Sequence, residues 1–232
     1  MPDPDELRKS YDRVAGDYAA EYADEMAKKP FDQQMLDWLA EKAAGRGPIC
    51  DLGCGPGQVA GYLHSRGASV YGVDLSEEMV AQGRRLHPEI PFQRGDMRRL
   101  EEVADGARGG IAAFYSLIHV PRGEMVSTLR ELRRVLAPGG TLLAAFHLGS
   151  ETIHRDEMWG KAVSIDFAFF EREEMTTWLL EAGFAIDEVI ERDPHPEVEY
   201  PSRRCYLFAT RSAEAVSAVP RPASNGEDAR SR

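Results

Sequence analysis

The sequence has 232 residues, enough for one large domain or two small ones. It carries 28 Lys and Arg against 39 Asp and Glu, and this net charge of −11 argues against nucleic acid or an anionic membrane surface as a partner. Hydrophobic residues make up 43% of the chain, which excludes wholesale disorder, and no apolar run is long enough to predict a membrane span.

The cysteines and the first residues predict a cytoplasmic protein. Cys50, Cys54 and Cys205 are odd in number and lack the spacing of metal ligands, and the first two lie in one apolar stretch. The acidic, polar start lacks the apolar core of a signal peptide. We therefore expect a reduced, cytoplasmic protein that binds no metal ion.

Two amphipathic helices are predicted at the start of the chain. Apolar and aromatic residues recur at helical spacing from Leu7 to Met26, which predicts one helix over residues 1–29 that ends near Pro30. A second helix is predicted over residues 31–44, before a turn rich in glycine. We interpret residues 1–30 as a lid helix that precedes a main domain over residues 31–211.

Short strands then alternate with helices. Strands are predicted over residues 49–52, 69–73, 91–94, 111–115 and 141–146, the last after a turn at 138–140, and helices over 58–66, 76–87 (capped by Ser76) and 122–136. Such alternation is typical of a parallel sheet with helices on both faces. A helix over 172–182 precedes strands over 184–190 and 205–210, which we expect to pair as a hairpin, and residues 212–232 predict a flexible tail.

The glycine-rich loop from Asp51 to Gly57 is the most informative stretch. It reads Asp-Leu-Gly-Cys-Gly-Pro-Gly, follows a strand and opens a helix, so that a ligand can contact bare backbone at a helix N-terminus. A dinucleotide site has the pattern G-x-G-x-x-G, whereas Gln58 stands here where the third glycine belongs. The carboxylate of Asp51 also disfavours a pyrophosphate. The loop therefore favours an amino-bearing ligand, with an NAD-type oxidoreductase as the alternative.

Two more carboxylates follow the next two predicted strands. Asp74 ends the second strand, where it can accept two hydrogen bonds from a ribose diol. Asp96 follows the third, where it can accept from an adenine amino group while Met97 packs against the ring. Each acid can instead cap a helix. Three such strand ends in series predict a site for an adenosine-type ligand.

Together, segments 49–58, 73–76, 95–97 and 136–140 resemble the class I S-adenosylmethionine-dependent methyltransferases. The resemblance implies an α/β, Rossmann-like doubly wound fold with a seven-stranded, mostly parallel sheet whose last strand is antiparallel. It implies S-adenosylmethionine as cofactor and a small-molecule methyl acceptor. The sequence leaves the oligomeric state, monomer or homodimer, open. The residues expected to bind the cofactor are Asp51, Gly53, Cys54, Gly55, Gly57, Asp74, Leu75, Met79, Asp96, Met97, Tyr115, Tyr11 and Tyr18. A non-catalytic module that only binds the cofactor is a further alternative.

Two histidines follow predicted strands. His119 comes after the fourth strand and His147 ends the fifth, and ligands of parallel sheets bind at these strand ends. We predict His119 as the first candidate for a general base or substrate-orienting group, and His147 as the second. The alternative for each is a hydrogen-bonded structural imidazole.

Two segments are expected to cover the site. Residues 149–170 are long and mix charge with bulk, which predicts a lid or substrate-recognition insert. The pattern Y-D-x-x-A-x-x-Y from Tyr11 to Tyr18 resembles the lid helix of small-molecule methyltransferases, whose tyrosines close over the cofactor. The alternative is that these tyrosines only dock the helix.

Two adjacent arginines precede the last strand. Arg203 and Arg204 can meet an acidic substrate or pair with Glu197 or Glu199. Of the two, we prefer the ion pairs with these acids, which precede the arginines in the chain.

Overall fold

The structure, a computed structural model, describes residues 3–212. The predicted tail falls almost entirely on residues 213–232, which lie outside the described part of the chain. No helix among the described residues is long and apolar enough to cross a membrane.

Seven strands of residues 3–212 form one sheet. They are β1 Ile49–Leu52, β2 Val70–Asp74, β3 Phe92–Arg94, β4 Arg108–Phe114, β5 Leu136–His147, β8 Phe184–Arg192 and β9 Arg204–Arg211. Their order across the sheet is β3-β2-β1-β4-β5-β9-β8. The first five are parallel, and β9 lies antiparallel between β5 and β8. The predicted Rossmann-like sheet, its antiparallel last strand and the hairpin of the final two strands are confirmed.

Six α-helices of residues 3–212 surround or cover the sheet. They are α1 Pro4–Glu21, α2 Pro30–Ala43, α3 Gln58–Ser65, α4 Glu77–Leu86, α5 Met125–Val135 and α6 Arg172–Glu181. Ser76 caps α4 by accepting a hydrogen bond from the Met79 N–H at 3.1 Å, as predicted.

The prediction of one helix over residues 1–29 is wrong in its extent. The helix ends at Glu21, and a separate 3-10 turn forms over Met26–Lys28. After Glu21 the backbone hydrogen bonds become tight three-residue turns, from the Glu25 N–H to the Tyr22 carbonyl and from the Lys29 N–H to the Met26 carbonyl, and α2 then begins at Pro30.

The turn predicted at residues 138–140 is a bulge within β5. The register against β4 shifts between Arg108 and Gly110, while Gly139 takes a left-handed conformation with φ of 74°. A bulge absorbs these residues without ending the strand, so β5 is longer than predicted.

Residues 149–170 form a second, two-stranded antiparallel sheet. Its strands are β6 Thr152–Met158 and β7 Lys161–Ala168. The turn residues Trp159 and Gly160 both have positive φ, which matches the twist of a tight hairpin. The insert is therefore a structured arm rather than an irregular loop.

The strand pairing places the informative residues at one edge of the sheet. Leu52 pairs with Val73 in parallel register, so the glycine loop after β1 and Asp74 at the end of β2 are neighbours. The end of β4 lies on the other side of β1. Buried side chains on both faces of the sheet hold these strand ends in place.

Candidate active site

A cavity of about 680 Å³ opens at the carboxyl edge of the sheet. The glycine loop, Asp74 and the segment after β4 form its floor, and α1 and the β6–β7 hairpin lie over it. The volume is in the range of small-molecule and cofactor sites.

The three loop glycines have different tasks. A Cβ on Gly53 would lie 2.4 Å from Cβ of Ser116, so the loop can approach β4 only without a side chain. Gly55 has φ of +51°, and a Cβ there would enter open space, with its nearest neighbours at 3.9 Å. Gly57 packs behind the loop, where a Cβ would lie 2.7 Å from the ring of Phe92. Gly53 and Gly55 line the cavity and Gly57 does not.

Asp51 lies under the loop with a buried carboxylate. Its Oδ2 accepts a hydrogen bond from the Ala60 N–H in the first turn of α3 at 2.9 Å. Burial raises the pKa of Asp51 to about 7, although this hydrogen bond opposes the rise. An ammonium group beside Asp51 would favour its charged form.

Asp74 is held by the backbone on both sides. Its Oδ2 accepts from the Gly55 N–H and its Oδ1 from the Ser76 N–H, each at 2.8 Å. Burial raises the pKa of Asp74 to about 6. Each carboxylate oxygen keeps a further lone pair, so the fixed carboxylate can still accept from two hydroxyl groups in the cavity.

Asp96 is bound to an arginine. Its carboxylate accepts from Nε of Arg98 at 3.0 and 3.1 Å and from Nη2 at 2.6 Å. Burial raises the pKa of Asp96, but the Arg98 hydrogen bonds outweigh it and hold the pKa below its usual value. Asp96 and Met97 line the cavity, but the sequence did not predict the ion pair with Arg98.

Three other residues predicted to bind the cofactor also line the cavity: Cys54, Leu75 and Met79. Cys54 and Met79 are buried, at 5% and 2% exposure, and contribute apolar wall. The structure thus brings together every predicted cofactor residue except Gly57.

Ser116 is a polar residue that sequence reasoning did not assign to the site. Its Oγ is buried and has no hydrogen-bond partner among residues 3–212, although it lines the cavity beside Gly53. Buried hydroxyl groups normally have a partner. A polar ligand beside Gly53, as the amino-acid part of S-adenosylmethionine would be, fits this unpaired oxygen, the open space at Gly55 and the lone pairs of Asp74.

The tyrosines of α1 face the cavity. A Cβ on Gly55 would lie 3.9 Å from Cε1 of Tyr18, so this ring covers the glycine loop. Tyr18 also packs against Tyr22 and, at 6.1 Å between ring centres, against Trp159 at the tip of the hairpin. The two covering segments therefore contact each other above the loop.

Hydrogen bonds of Asp12 and Ser10 dock α1 against its neighbours. Asp12 accepts a hydrogen bond from Oγ of Ser76 at 2.6 Å, at the N-terminus of α4, where the helix dipole favours a carboxylate. Oγ of the fully buried Ser10 accepts from the Ser164 N–H on β7 at 2.9 Å. Helix α1 is thus fixed to the start of α4 and to the β6–β7 hairpin.

His119 has both ring nitrogens engaged. Nδ1 lies 2.9 Å from the carbonyl oxygen of Asp166 and must donate its proton to it. Nε2 of a neutral ring is then an acceptor, and the Tyr11 hydroxyl lies 2.8 Å from it. Burial lowers the pKa of His119 to about 4, so the ring is a neutral base at neutral pH.

His147 lies in an aromatic group at another part of the cavity wall. Its Nδ1 bonds Oγ of Ser202 at 2.7 Å, and its ring stacks on Phe169 at 4.9 Å. The ring of Tyr115 is also 4.9 Å away. Tyr115 has φ of +51°, a strained conformation typical of functional sites, and its hydroxyl lies 3.3 Å from that of Tyr206.

A buried ionic network next to Tyr115 was not predicted. Arg192 donates to Glu199 at 2.7 and 2.8 Å, to Asp32 at 3.1 Å and to the Tyr206 hydroxyl at 2.6 Å. The residues of this network lie on α2, β8, β9 and the loop between β8 and β9, so no local sequence pattern predicts it. Among residues 3–212, no three His, Cys, Asp or Glu side chains group in a way that could hold a metal ion.

Comparisons with known proteins agree with this geometry. Residues 49–140 match a family described as a methyltransferase domain. A putative methyltransferase of Bacillus subtilis, YqeM, is 30% identical over 134 residues, which cover 56% of this chain and 54% of that protein. The demethylmenaquinone methyltransferase of Beutenbergia cavernae is 31% identical over 147 residues, which cover 62% of this chain and 58% of that protein. The chain thus spans little more than half the length of these relatives.

A solved structure shares the fold over most of the chain. The 1,6-didemethyltoxoflavin-N1-methyltransferase of Burkholderia thailandensis, with bound 1,6-didemethyltoxoflavin and S-adenosylhomocysteine, superposes with a TM-score of 0.68. The match covers 91% of this chain and 92% of that one, at 18% identity.

Proposed function

We propose that the chain is a class I S-adenosylmethionine-dependent methyltransferase that transfers a methyl group from S-adenosylmethionine to an oxygen or nitrogen atom of a small molecule. The observation that carries the proposal is the single cavity in which the glycine loop, Asp74 and the unpaired Ser116 hydroxyl converge. The relatives support a small acceptor, because one of them is named for demethylmenaquinone.

The cofactor residues are proposed from chemistry at the strand ends. Gly53, Gly55 and Ser116 would hold the amino-acid part, with Asp51 beside its ammonium group. Asp74 would accept from the ribose hydroxyl groups, and the adenine would lie near Met97. When bound, S-adenosylmethionine supplies a methyl group on a positively charged sulfur, which is already a good leaving group.

The protein then has to align the acceptor and keep water away. Alignment of two reactants can lower the barrier by about 7–11 kcal/mol at most. Tyr18 above the loop and the hairpin beside it provide a cover, and aromatic faces stabilise a neighbouring positive charge. The lid segments are therefore part of the catalytic apparatus in this proposal.

His119 is the proposed base for a hydroxyl acceptor. The Asp166 carbonyl fixes the tautomer of the ring, so that Nε2 carries the lone pair. The Tyr11 hydroxyl donates to this lone pair in the structure. An acceptor hydroxyl that replaces the Tyr11 hydroxyl would give its proton to Nε2. A positioned base contributes about 10² to 10⁴ in rate. His147, whose Nδ1 is bonded to Ser202, is the second candidate.

The test starts with cofactor binding. We expect calorimetry to show S-adenosylhomocysteine binding to the protein and no binding of NAD. Asp74→Asn should weaken the affinity by about tenfold or more, because one acceptor oxygen becomes an N–H donor that faces a backbone N–H. Asp105→Asn is the matched control, since Asp105 is exposed and pairs with Arg134.

Turnover with S-adenosylmethionine and a panel of small phenols, acids and amines is then followed by mass spectrometry. A methylated product supports transfer, and His119→Gln should slow it while cofactor affinity is kept. Absence of S-adenosylhomocysteine binding, or equal binding by the Asp74 variant, would show that the cavity is not the cofactor site.

A further inference from the structure

Three basic side chains surround Tyr115 at the cavity wall, and none of them belongs to the glycine loop or its acids. Nζ of Lys29 lies 5.6 Å and Cζ of Arg204 6.0 Å from the centre of the Tyr115 ring. The His147 ring is 4.9 Å from the same ring. We call Lys29, His147 and Arg204 the basic cluster; all three line the cavity.

Glu25 accepts a hydrogen bond from Lys29 at 2.6 Å, whereas the other two nearby carboxylates, Glu199 and Asp32, are bonded to an arginine outside the cluster. Glu199 accepts two hydrogen bonds from Arg192 and a third from the His195 N–H at 2.7 Å. Asp32 accepts from Arg192 and from the Tyr206 hydroxyl. The strongest hydrogen bonds of Glu199 and Asp32 are therefore not with the basic cluster.

Arg204 has a different set of partners. Its side chain is 3% exposed, and Nη1 donates only to backbone carbonyl oxygens, of Tyr200 at 3.1 Å and of Ser202 at 2.6 Å. Its Nε lies 3.4 Å from Glu199 without forming a hydrogen bond, and it has no other partner in the described chain. A buried guanidinium normally donates to a carboxylate or phosphate.

Two positive charges lie close to His147. Burial first, and then the charges of Arg204 and Lys29, lower the pKa of His147 to about 4, against an opposing effect of Glu199. Nδ1 is bonded to Ser202, whereas Nε2 has no hydrogen-bond partner among residues 3–212. One nitrogen atom therefore stays available to a ligand.

We infer that the basic cluster binds a carboxylate of the methyl acceptor, so that the acceptor is a small organic acid. Aromatic rings of Tyr115, Phe169 and Tyr200 beside the cluster favour an acid with a flat, conjugated body. The inference rests on the proposed function, because it identifies the substrate class of that site.

Charge balance predicts how binding depends on pH. Lys29 pairs with Glu25, and Arg192 and Arg204 together balance Asp32 and Glu199, so an entering carboxylate adds one uncompensated charge. A proton on Nε2 of His147 restores the balance. The charged or titratable groups that face His147 are Lys29 before α2, Tyr115 after β4, Glu199 in the 193–203 loop and Arg204 on β9. Acid binding should therefore be tighter at about pH 6 than at about pH 8.

The test compares benzoate with benzamide on protein saturated with S-adenosylhomocysteine. The two probes have nearly the same shape and differ in charge. Ligand-observed NMR should detect benzoate binding below about 10 mM, which is the range expected of so small a molecule, with benzamide at least about tenfold weaker. Only benzoate should bind more tightly at the lower pH.

Arg204→Met and Lys29→Met should each weaken benzoate binding by about tenfold and leave benzamide unchanged. Arg203→Gln is the control, because Arg203 is exposed and pairs with Glu191. If Arg204→Met does not fold, since its backbone hydrogen bonds are lost, Lys29→Met decides the question.

The outcomes separate this inference from the proposed function. If S-adenosylhomocysteine binds but benzoate does not, or benzamide binds equally well, the acid subsite is wrong while the cofactor site stands. If Lys29→Met or Arg204→Met weakens the binding of S-adenosylhomocysteine and leaves benzoate binding unchanged, the cluster binds the carboxylate of the cofactor and the inference is overturned. If S-adenosylhomocysteine itself fails to bind, the proposed function fails first.

Discussion

The two halves of the cavity are assembled in different ways. In the half proposed for the cofactor, around the glycine loop, Asp74 accepts from a residue 19 positions away and Asp51 from one nine positions away. In the half proposed for the acceptor, around His119 and Tyr115, Tyr11 meets His119 over 108 positions, and Arg192 meets Asp32 over 160. The first half follows from the ends of adjacent strands, whereas the second joins segments that lie far apart in the chain, from α1 and α2 to the segment after β4 and to β8. The second half therefore depends on tertiary packing and not on a local sequence motif.

The sharpest test of the cofactor half is Gly55→Leu. The side chain would project into the cavity toward Tyr18, so we expect the affinity for S-adenosylhomocysteine to fall by about 100-fold or more, measured by calorimetry. Gly67→Leu is the matched control, because Gly67 also has a positive φ, of +84°, and has nothing within 4 Å of its Cβ. Both variants should lose about 1–2 kcal/mol of stability through backbone strain. Equal affinities in the two variants would remove Gly55 from the site.

The second test separates stability from binding at Asp51. Burial raises its pKa to about 7 in the folded state, so its contribution to stability is full below its unfolded pKa near 4 and is lost as the pH rises through 7. Asp51→Asn keeps an acceptor for the Ala60 N–H but carries no charge. We expect the ligand-free variant to be more stable than the parent at pH 8, by about 2 kcal/mol, and nearly equal at about pH 4.5.

Asp51→Asn should also weaken the binding of S-adenosylhomocysteine at pH 8, since the ammonium group of the ligand loses its charged partner. Thermal unfolding and calorimetry measure the two effects. A variant that is less stable than the parent at pH 8, or that binds the cofactor product equally well, contradicts the assignment.

The smallest effect is expected in the cover. Ser10→Ala leaves the Ser164 N–H on β7 without its partner, at a cost of about 1–2 kcal/mol. Amide hydrogen exchange in α1 should become faster, while S-adenosylhomocysteine affinity changes by about threefold at most. Ser127→Ala is the control, because its hydroxyl bonds only to the carbonyl of Glu124 nearby in the chain. Unchanged exchange in α1 would show that Ser10 does not hold the lid.

The sequence predicts the sheet and the cofactor half because these depend on local patterns. The loop after β1, the acid at the end of β2 and the Ser76 cap are each encoded within a few residues. Gly57 shows the limit of such patterns. It has the same spacing as its two neighbours, yet its task is to let Phe92 pack behind the loop, and only the fold reveals this.

The acceptor half was predicted less completely because its contacts are long-range. Lys29 stands next to Pro30 and looks like a helix end, but it is buried near Tyr115, which follows the distant strand β4. Ser116 follows a strand that the sequence predicts. Its place at the carboxyl end of that strand was the signal that could have assigned it to the site. The partners of Arg204 were only partly foreseen: the contact with Glu199 exists, but the hydrogen bonds go to the backbone.

The docking contacts of α1 also set an order of events during synthesis. The helix leaves the ribosome before any of its partners, and Asp12 finds Ser76 only after β2 has been made. The bond between Ser10 and Ser164 forms only after 88 more residues have been made, from position 76 to position 164. The growing chain can therefore complete the docking of this helix only when the hairpin emerges, which makes closure of the cover a late folding step that follows formation of the first sheet strands.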